Sequence, residues 1–240
     1  MDTSFWIRFN PKITIAHTTK KYFAKYLYKV VVYAPAGRLL DAKGPLEEAF
    51  QHRLLVQRNI NVGYWGYRNF KDIENADLEF LDDLREIRHD KNLGFLLRIE
   101  EPRVQIYAET EQQLQNLIST HFKPEHYKYI ESFSGPADAN AEALLNAGAI
   151  IRKKDVGYKY KVILRDGKYN HAIKSQLLQY LLNLGSDEIH LPKSAIDMLQ
   201  SKTSFVWNLY FYCNDLSVNT FIGLISPGII LNHHELIVHK

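Results

Sequence analysis

A chain of 240 residues, 46% apolar and 24% charged, is long enough to bury one large core or two small ones without a metal or disulfide staple. Its single cysteine, Cys213, excludes an intramolecular disulfide and favours a reducing compartment, where a buried thiol acts as a small apolar filler. No secretory leader pattern opens the sequence, and no run reaches the ~18–20 apolar residues of a membrane span, so a soluble, cytoplasmic chain with no membrane partner is expected.

Residues 1–20 alternate apolar and polar side chains (Phe5, Ile7, Phe9, Ile13, Ile15) around an Asn10-Pro11 turn, and predict a hairpin or edge arm. Residues 25–33 form a Tyr- and Val-rich strand that Pro35-Ala36-Gly37 ends. Gly44-Pro45 opens a helix over 46–57, with the proline near the first helical position, where its missing N–H costs little. Gly63-Tyr64-Trp65-Gly66-Tyr67-Arg68 reads either as a bent strand or as an exposed loop. Residues 76–89 predict a helix with Leu78, Leu81, Leu84 and Ile87 on one stripe and Asp77, Glu79, Asp82, Asp83 and Glu86 on the other. Two strands follow, 93–99 and 103–108, split by Glu100-Glu101-Pro102. Thr110 and Gln113 form a capping box for a helix running to Thr120, and 126–133 reads as a further strand.

The second half repeats this order. A strand over 156–165 leads through Asp166-Gly167 to a helix over 170–184, striped by Ile173, Leu177, Leu181 and Leu184 and stopped by Gly185. A short strand over 188–191, a helical turn to Leu199 and an aromatic strand over 205–213 come next. Asp215 caps a helix over 218–225, and 229–238 closes the chain as a strand. The two halves share landmarks. Tyr26-Leu27-Tyr28-Lys29 answers to Tyr158-Lys159-Tyr160-Lys161, each followed by three branched aliphatics, and Tyr107 and Tyr212 close the third strand of each half.

This order is βαββαβ in the second half, and the same with an acidic helix inserted in the first. The expected fold is therefore α+β, two tandem ferredoxin-like units forming a pseudo-dimer. The expected boundaries are an N-terminal arm over 1–20, a first unit over 21–135, a linker with an Ala-rich helical stretch over 136–154, and a second unit over 155–240. In its tandem architecture the chain resembles the repeat-associated RNA-processing proteins of CRISPR systems. Their Gly-rich C-terminal loop has no counterpart, since Ser226-Pro227-Gly228 is a lone turn. In single-domain members of the βαββαβ fold the sheet face away from the helices often binds nucleic acid through aromatic and basic side chains, yet so widespread a fold does not by itself specify function.

Charge is segregated along the chain. Residues 1–40 carry seven Lys/Arg against Asp2 alone, and 150–174 carry eight against Asp155 and Asp166, whereas 71–142 hold sixteen Asp/Glu against eight Lys/Arg. Both basic blocks interleave rings with cations, the pattern of a single-strand binder in which cations neutralise phosphates and rings stack bases. The expected nucleic-acid contacts are Lys20, Lys21, Lys25, Lys29, Trp65 and Arg68 in the first half, and Arg152, Lys153, Lys154, Tyr158, Tyr160 and Lys161 in the second. Strand alternation puts Tyr158 and Tyr160 on one face and Lys159 and Lys161 on the other, so the charge would have to come from Lys153 and Lys154. The alternative for these tyrosines is burial in the core.

Other constellations are thinner. His17-Thr18-Thr19 is half of a two-histidine phosphoesterase pair, and no second His-x-Thr/Ser exists. His233 and Glu235 share a strand face, but two ligands do not make a metal site. The acidic face of 76–89 is a solvated helix surface or a contact for a basic protein partner. No P-loop, dinucleotide fingerprint, nucleophile elbow, HExxH or CxxC occurs, so no cofactor, metal or catalytic residue is assigned. The expected function is a non-enzymatic RNA- or single-stranded-DNA-binding protein of replication, RNA processing or defence. The alternatives are a scaffolding component of an assembly, viral included, and an enzyme cutting phosphodiesters through His17 or His233.

Overall fold

The computed structural model of the chain describes residues 2–59, 75–89, 94–100 and 102–238. The aromatic segment with Trp65 and Arg68, read as a bent strand or an exposed loop, lies outside them. The chain is mixed α+β and divides into two compact units, residues 1–142 and 143–240, with the division inside the segment expected to link them.

In the first unit, helix α1 (Thr3–Phe9) precedes strand β1 (Thr14–His17) and strand β2 (Tyr28–Tyr33). A 3-10 helix (Gly37–Asp41), α2 (Leu46–Asn59) and α3 (Asn75–His89) follow. Strands β3 (Leu96–Glu100) and β4 (Arg103–Ala108), helix α4 (Glu111–His121), a 3-10 helix (Pro124–Tyr129) and strand β5 (Ile130–Gly135) complete it. The five strands lie in the order β1-β5-β2-β4-β3, all neighbours antiparallel except β1 and β5. Alternation along β2 and β4 sends Val30, Val32, Val104 and Ile106 into the core beneath Leu114, Leu117 and Ile118 of α4, all buried. The expected capping box is present, Thr110 accepting from the Gln113 amide and Gln113 reaching back to the Thr110 amide.

The N-terminal segment differs from the expected hairpin. The Asp2 carboxylate accepts from the Phe5 amide and starts α1, and the Trp6 ring stacks on Phe133 at 4.1 Å while its Nε1 donates to Glu111 at 2.9 Å. Burying that indole, on the order of 200 Å² at about 25 cal/mol per Å², contributes roughly 5 kcal/mol gross, enough to hold a helix too short to persist alone. The strand expected over 126–133 begins only at Ile130. Pro124 starts a 3-10 turn that buries His126, whose Nδ1 lies 2.7 Å from Asp83 Oδ2. Asp83 is therefore a core residue and leaves the acidic face, on which Glu79, Asp82 and Glu86 are exposed.

In the second unit, helix α5 (Ala139–Asn146), which spans the division, and strand β6 (Ile150–Arg152) lead to strands β7 (Tyr160–Leu164) and β8 (Gly167–Lys168), then helix α6 (His171–Asn183). Strand β9 (Ile189–His190), helix α7 (Lys193–Gln200), strands β10 (Phe205–Val206) and β11 (Tyr210–Cys213), helix α8 (Val218–Ile225) and strand β12 (Ile230–Val238) follow. The main sheet runs β6-β12-β7-β11-β9, again antiparallel except where the leading strand β6 pairs β12. Strand β6, in the segment expected as linker, thus stands to its sheet as β1 stands to the first. A two-stranded ribbon, β8 with β10, continues from the β7–β11 pair.

The core of this unit gathers Val162, Leu164, Phe211 and Cys213 from the sheet with Leu177 and Leu181 of α6, Ala195 and Leu199 of α7, and Val218 and Ile222 of α8. All three helices therefore cover one face. Helix α6 starts at Asn170, whose side chain accepts from the Ile173 amide, and stops at Gly185 in the left-handed region (φ +79°), as expected. Two features depart from the sequence pattern. Lys174 sits in the apolar stripe and is buried, whereas Leu182 is exposed. The aromatic strand expected over 205–213 is broken into β10 and β11 around Asn208 (φ +53°).

Candidate functional site

Because the helices of the second unit take the face of Val162, Phe211 and Cys213, the alternate residues Lys161, Tyr210 and Tyr212 lie on the other face. His190 is directly opposite Tyr212 and joins them, as does His234 opposite Lys161. Tyr158 is the exception to strand logic. The backbone is not yet a strand at 158–159, and its ring swings onto this face, 5.9 Å from His190 and 6.4 Å from Tyr212. Its hydroxyl, donating to Ser186 O at 2.6 Å, fixes the swing. His190 and Tyr212 stack at 6.0 Å, and Tyr210 meets Tyr212 edge-on at 5.6 Å.

Two cations reach these rings. Lys161 Nζ stands 3.7 Å from the centre of Tyr210. The charge of Arg152, at the end of β6, bears on the Tyr212 phenol. The Tyr212 phenol is held above its ordinary range by burial first and by Tyr210 next, with Arg152 pulling the other way. A neutral phenol carries no charge to repel a phosphate. The result is four rings and two cations on the sheet face opposite α6, α7 and α8.

Of the predicted residues here, Arg152, Tyr158 and Lys161 come together, and Lys153 and Lys154 follow Arg152 as exposed residues. Tyr160 does not join them. It packs against the core and meets His233 edge-on at 6.5 Å. The expected split of rings from cations therefore fails, because Tyr158 leaves the strand parity that placed it with Tyr160. Sequence reasoning missed Tyr210, Tyr212 and His190. The signal was the alternation Tyr210-Phe211-Tyr212-Cys213, in which two buried residues leave two tyrosines for the other side.

The first unit holds a parallel arrangement. Lys29 is opposite Tyr107, as Lys161 is opposite Tyr212, and Tyr26 lies 6.3 Å from Tyr107, as Tyr158 lies from Tyr212 at 6.4 Å. Tyr22 and Phe23 complete a cluster around Tyr107, with ring centres at 5.2 and 5.1 Å. They sit on a tight turn bridged between Tyr22 and Tyr26, in which Phe23 and Ala24 both take positive φ (52° and 57°). Lys29 Nζ lies over Tyr22 at 5.1 Å. Several cations here are matched by carboxylates: Lys25 with Glu109 at 2.9 Å, Arg98 with Glu100 at 2.8 Å, and Arg103 with Glu131. Lys20 is exposed and Lys21 half-buried on the approach to the turn. Charge follows the same division, with eleven Lys/Arg against seven Asp/Glu over 143–240, but nineteen against twenty over 1–142.

The remaining candidates stay separate. His17 is an exposed residue of β1 opposite Gly135. His234 Nδ1 is engaged with Gly148 O at 2.7 Å, and His233 and Glu235 lie along exposed positions of β12. Among the described residues no group of three or more His, Cys, Asp or Glu is placed to hold a metal ion. A cavity of about 530 Å³ between α2 and α3 is lined by Leu46, Glu47, Leu78, Glu79, Asp82 and Arg85, an acidic wall unsuited to phosphate. Cys213 is buried, and its thiol is pushed up to about 11, by burial first and then by Asp215. Among the described residues no helix is long and apolar enough to cross a membrane. No family model, curated protein or solved structure matches the chain.

Proposed function

We propose that the chain is a non-enzymatic binder of single-stranded nucleic acid, RNA or DNA, acting through the face of its second sheet opposite α6, α7 and α8. Each unit is read as a ferredoxin-like βαββαβ fold with one added edge strand. The support is the strand order, in which the last, first, third and second strands of the motif stand side by side in both sheets. In such folds the face away from the helices takes single strands, with bases stacked on rings of the central strands.

The observation that carries the functional reading is the quartet Tyr158, His190, Tyr210 and Tyr212 with Lys161 and Arg152 at its edge. Stacking each base there is worth roughly 1–3 kcal/mol, and the cations answer the phosphates. The basic balance of residues 143–240 favours this face over the first, where Lys25, Arg98 and Arg103 are paired with carboxylates. Ultraviolet crosslinking of the chain to a uridine- or thymidine-rich strand, followed by peptide mapping, tests the assignment. Adducts are expected on peptides carrying Tyr158 and Tyr210–Tyr212. Adducts confined to residues 22–29 would move the site to the first unit.

A second reading, a scaffold held by protein contacts, is favoured by helix α8, where Phe221 and Leu224 share a face and are 56% and 76% exposed. Assemblies that sediment unchanged after nuclease treatment and dissociate in Leu224→Ser would support it.

A further inference from the structure

Along β10, β11 and the residues between them, the inward side chains are Val206, Leu209, Phe211 and Cys213, all in one core. Between Phe211 and Cys213, and between Leu209 and Phe211, the spacing is two. Between Val206 and Leu209 it is three, so one extra residue must be absorbed. The break between β10 and β11 absorbs it at Asn208, with φ +53° and its amide donating to the Asp166 carboxylate at 2.8 Å, and the facing chain breaks between β7 and β8 in the same place, so the register is unchanged. The break resets the alternation, so that Phe205, Trp207, Tyr210 and Tyr212 all lie outside the core formed by Val206, Leu209, Phe211 and Cys213. Phe205 and Trp207 stack on each other at 6.1 Å and 29°, and are 45% and 46% exposed. Lys168 is the direct cross-strand partner of Phe205, so it stands on the same side of the ribbon. Lys174 fastens the segment that enters β10, its Nζ donating to Ser201 O at 2.7 Å and Thr203 O at 2.9 Å.

We infer that the binding surface continues beyond the sheet along the β8–β10 ribbon, where Trp207 and Phe205 stack further bases of the same strand and Lys168 meets its phosphate. This rests on the proposed sheet-face reading and extends it to a ligand length. From Tyr212 to Phe205 is seven residues of nearly extended chain, on the order of 20 Å. A strand of about four nucleotides fills the sheet quartet, whereas one of about twelve also reaches the ribbon. The occupant is nucleic acid because the ribbon continues a basic aromatic surface and carries its own cation.

The test is the affinity of oligouridylate and oligothymidylate of those two lengths for the full chain and for Trp207→Ala, Phe205→Ala and Tyr212→Ala. Trp207 and Phe205 are exposed, so their loss leaves folding intact, which circular dichroism checks. The expected result is that Trp207→Ala and Phe205→Ala weaken the long strand roughly tenfold and leave the short one within about twofold, while Tyr212→Ala weakens both. Lys168→Ala should lower the salt slope for the long strand by about one. Equal affinities of wild type and Trp207→Ala for the long strand, with Tyr212→Ala still defective, overturn the extension and leave the sheet face standing; the ribbon rings then belong to a protein contact. Failure of wild type to bind either length overturns the sheet-face reading and the extension with it.

Discussion

Replacing Lys174 with Met tests how the second unit is held together. The side chain is 2% exposed, and its three ammonium protons are all taken, by Ser201 O at 2.7 Å, Thr203 O at 2.9 Å and Ser201 Oγ at 3.0 Å. Ser201 Oγ keeps other partners in Met198 O and Thr203 Oγ1, but in Lys174→Met the two carbonyls lose this donor. Each orphaned carbonyl costs about 1–3 kcal/mol, and the relief of an uncompensated buried charge returns part of it, for a net loss of roughly 2–4 kcal/mol. At about 2–4 °C per kcal/mol for a chain of this size, the melting temperature followed by circular dichroism should fall by roughly 5–15 °C. There is also a pH signature. Burial holds the Lys174 ammonium below its ordinary 10.5, so between the depressed value and 10.5 the unfolded chain binds more protons than the native one. Wild-type stability therefore rises across that window, and the gap to Lys174→Met widens. An unchanged or higher melting temperature in the variant would refute the reasoning, because desolvation would then outweigh the three hydrogen bonds.

Three further substitutions or modifications have definite outcomes. In Gly135→Ala the new Cβ would lie 2.8 Å from the Tyr28 ring, which is itself buried, so a loss of about 1–3 kcal/mol by chemical denaturation is expected; a neutral result would mean the ring moves freely. Ala24→Gly relieves a left-handed residue at an exposed turn and should raise stability by about 0.5–1 kcal/mol, provided the entropy cost of glycine stays smaller than the relief; destabilisation would contradict the turn geometry. Iodoacetamide at pH 8 should label Cys213 only as fast as the unit opens, since the thiol is buried and its pKa is pushed up to about 11. The same shift means that stability present below 9.0, the thiol's ordinary value, is lost as pH rises through 11. Fast labelling of native protein would contradict the burial.

The helices and central strands were legible because local signals agree with tertiary packing. The Thr110 and Gln113 capping box, the Asn170 cap and the Gly185 stop stand where the residues imply, and β4 spans its expected residues. The landmarks shared by the halves, Tyr26–Lys29 with Tyr158–Lys161 and Tyr107 with Tyr212, fall at matching places, and the structure adds that Lys29 lies across from Tyr107 and Lys161 from Tyr212. What escaped was decided by long-range contacts. Nothing near Trp6 announces that Phe133, more than a hundred residues away, will stack on it and turn an alternating segment into a helix. Lys174 reads as a surface residue until Ser201 and Thr203 supply acceptors. Tyr158 leaves the strand parity because the strand starts only at Tyr160, and the break at Asn208 cannot be seen in a run that is apolar and aromatic on both sides. The site was half legible for the same reason. Its cations lie in one basic block, but most of its rings come from β11, which the sheet brings beside β7, and from β9 beyond it.

The central claim is tested most directly by fluorescence anisotropy of a labelled single strand, RNA and DNA separately, titrated with the full chain at several salt concentrations. The account predicts saturable binding whose affinity falls steeply as salt rises, at a slope reporting several displaced counterions. Tyr212→Ala should lose roughly tenfold at unchanged slope, and Lys161→Ala should lower the slope by about one. Absence of binding at low salt, or binding that neither variant weakens, would contradict it.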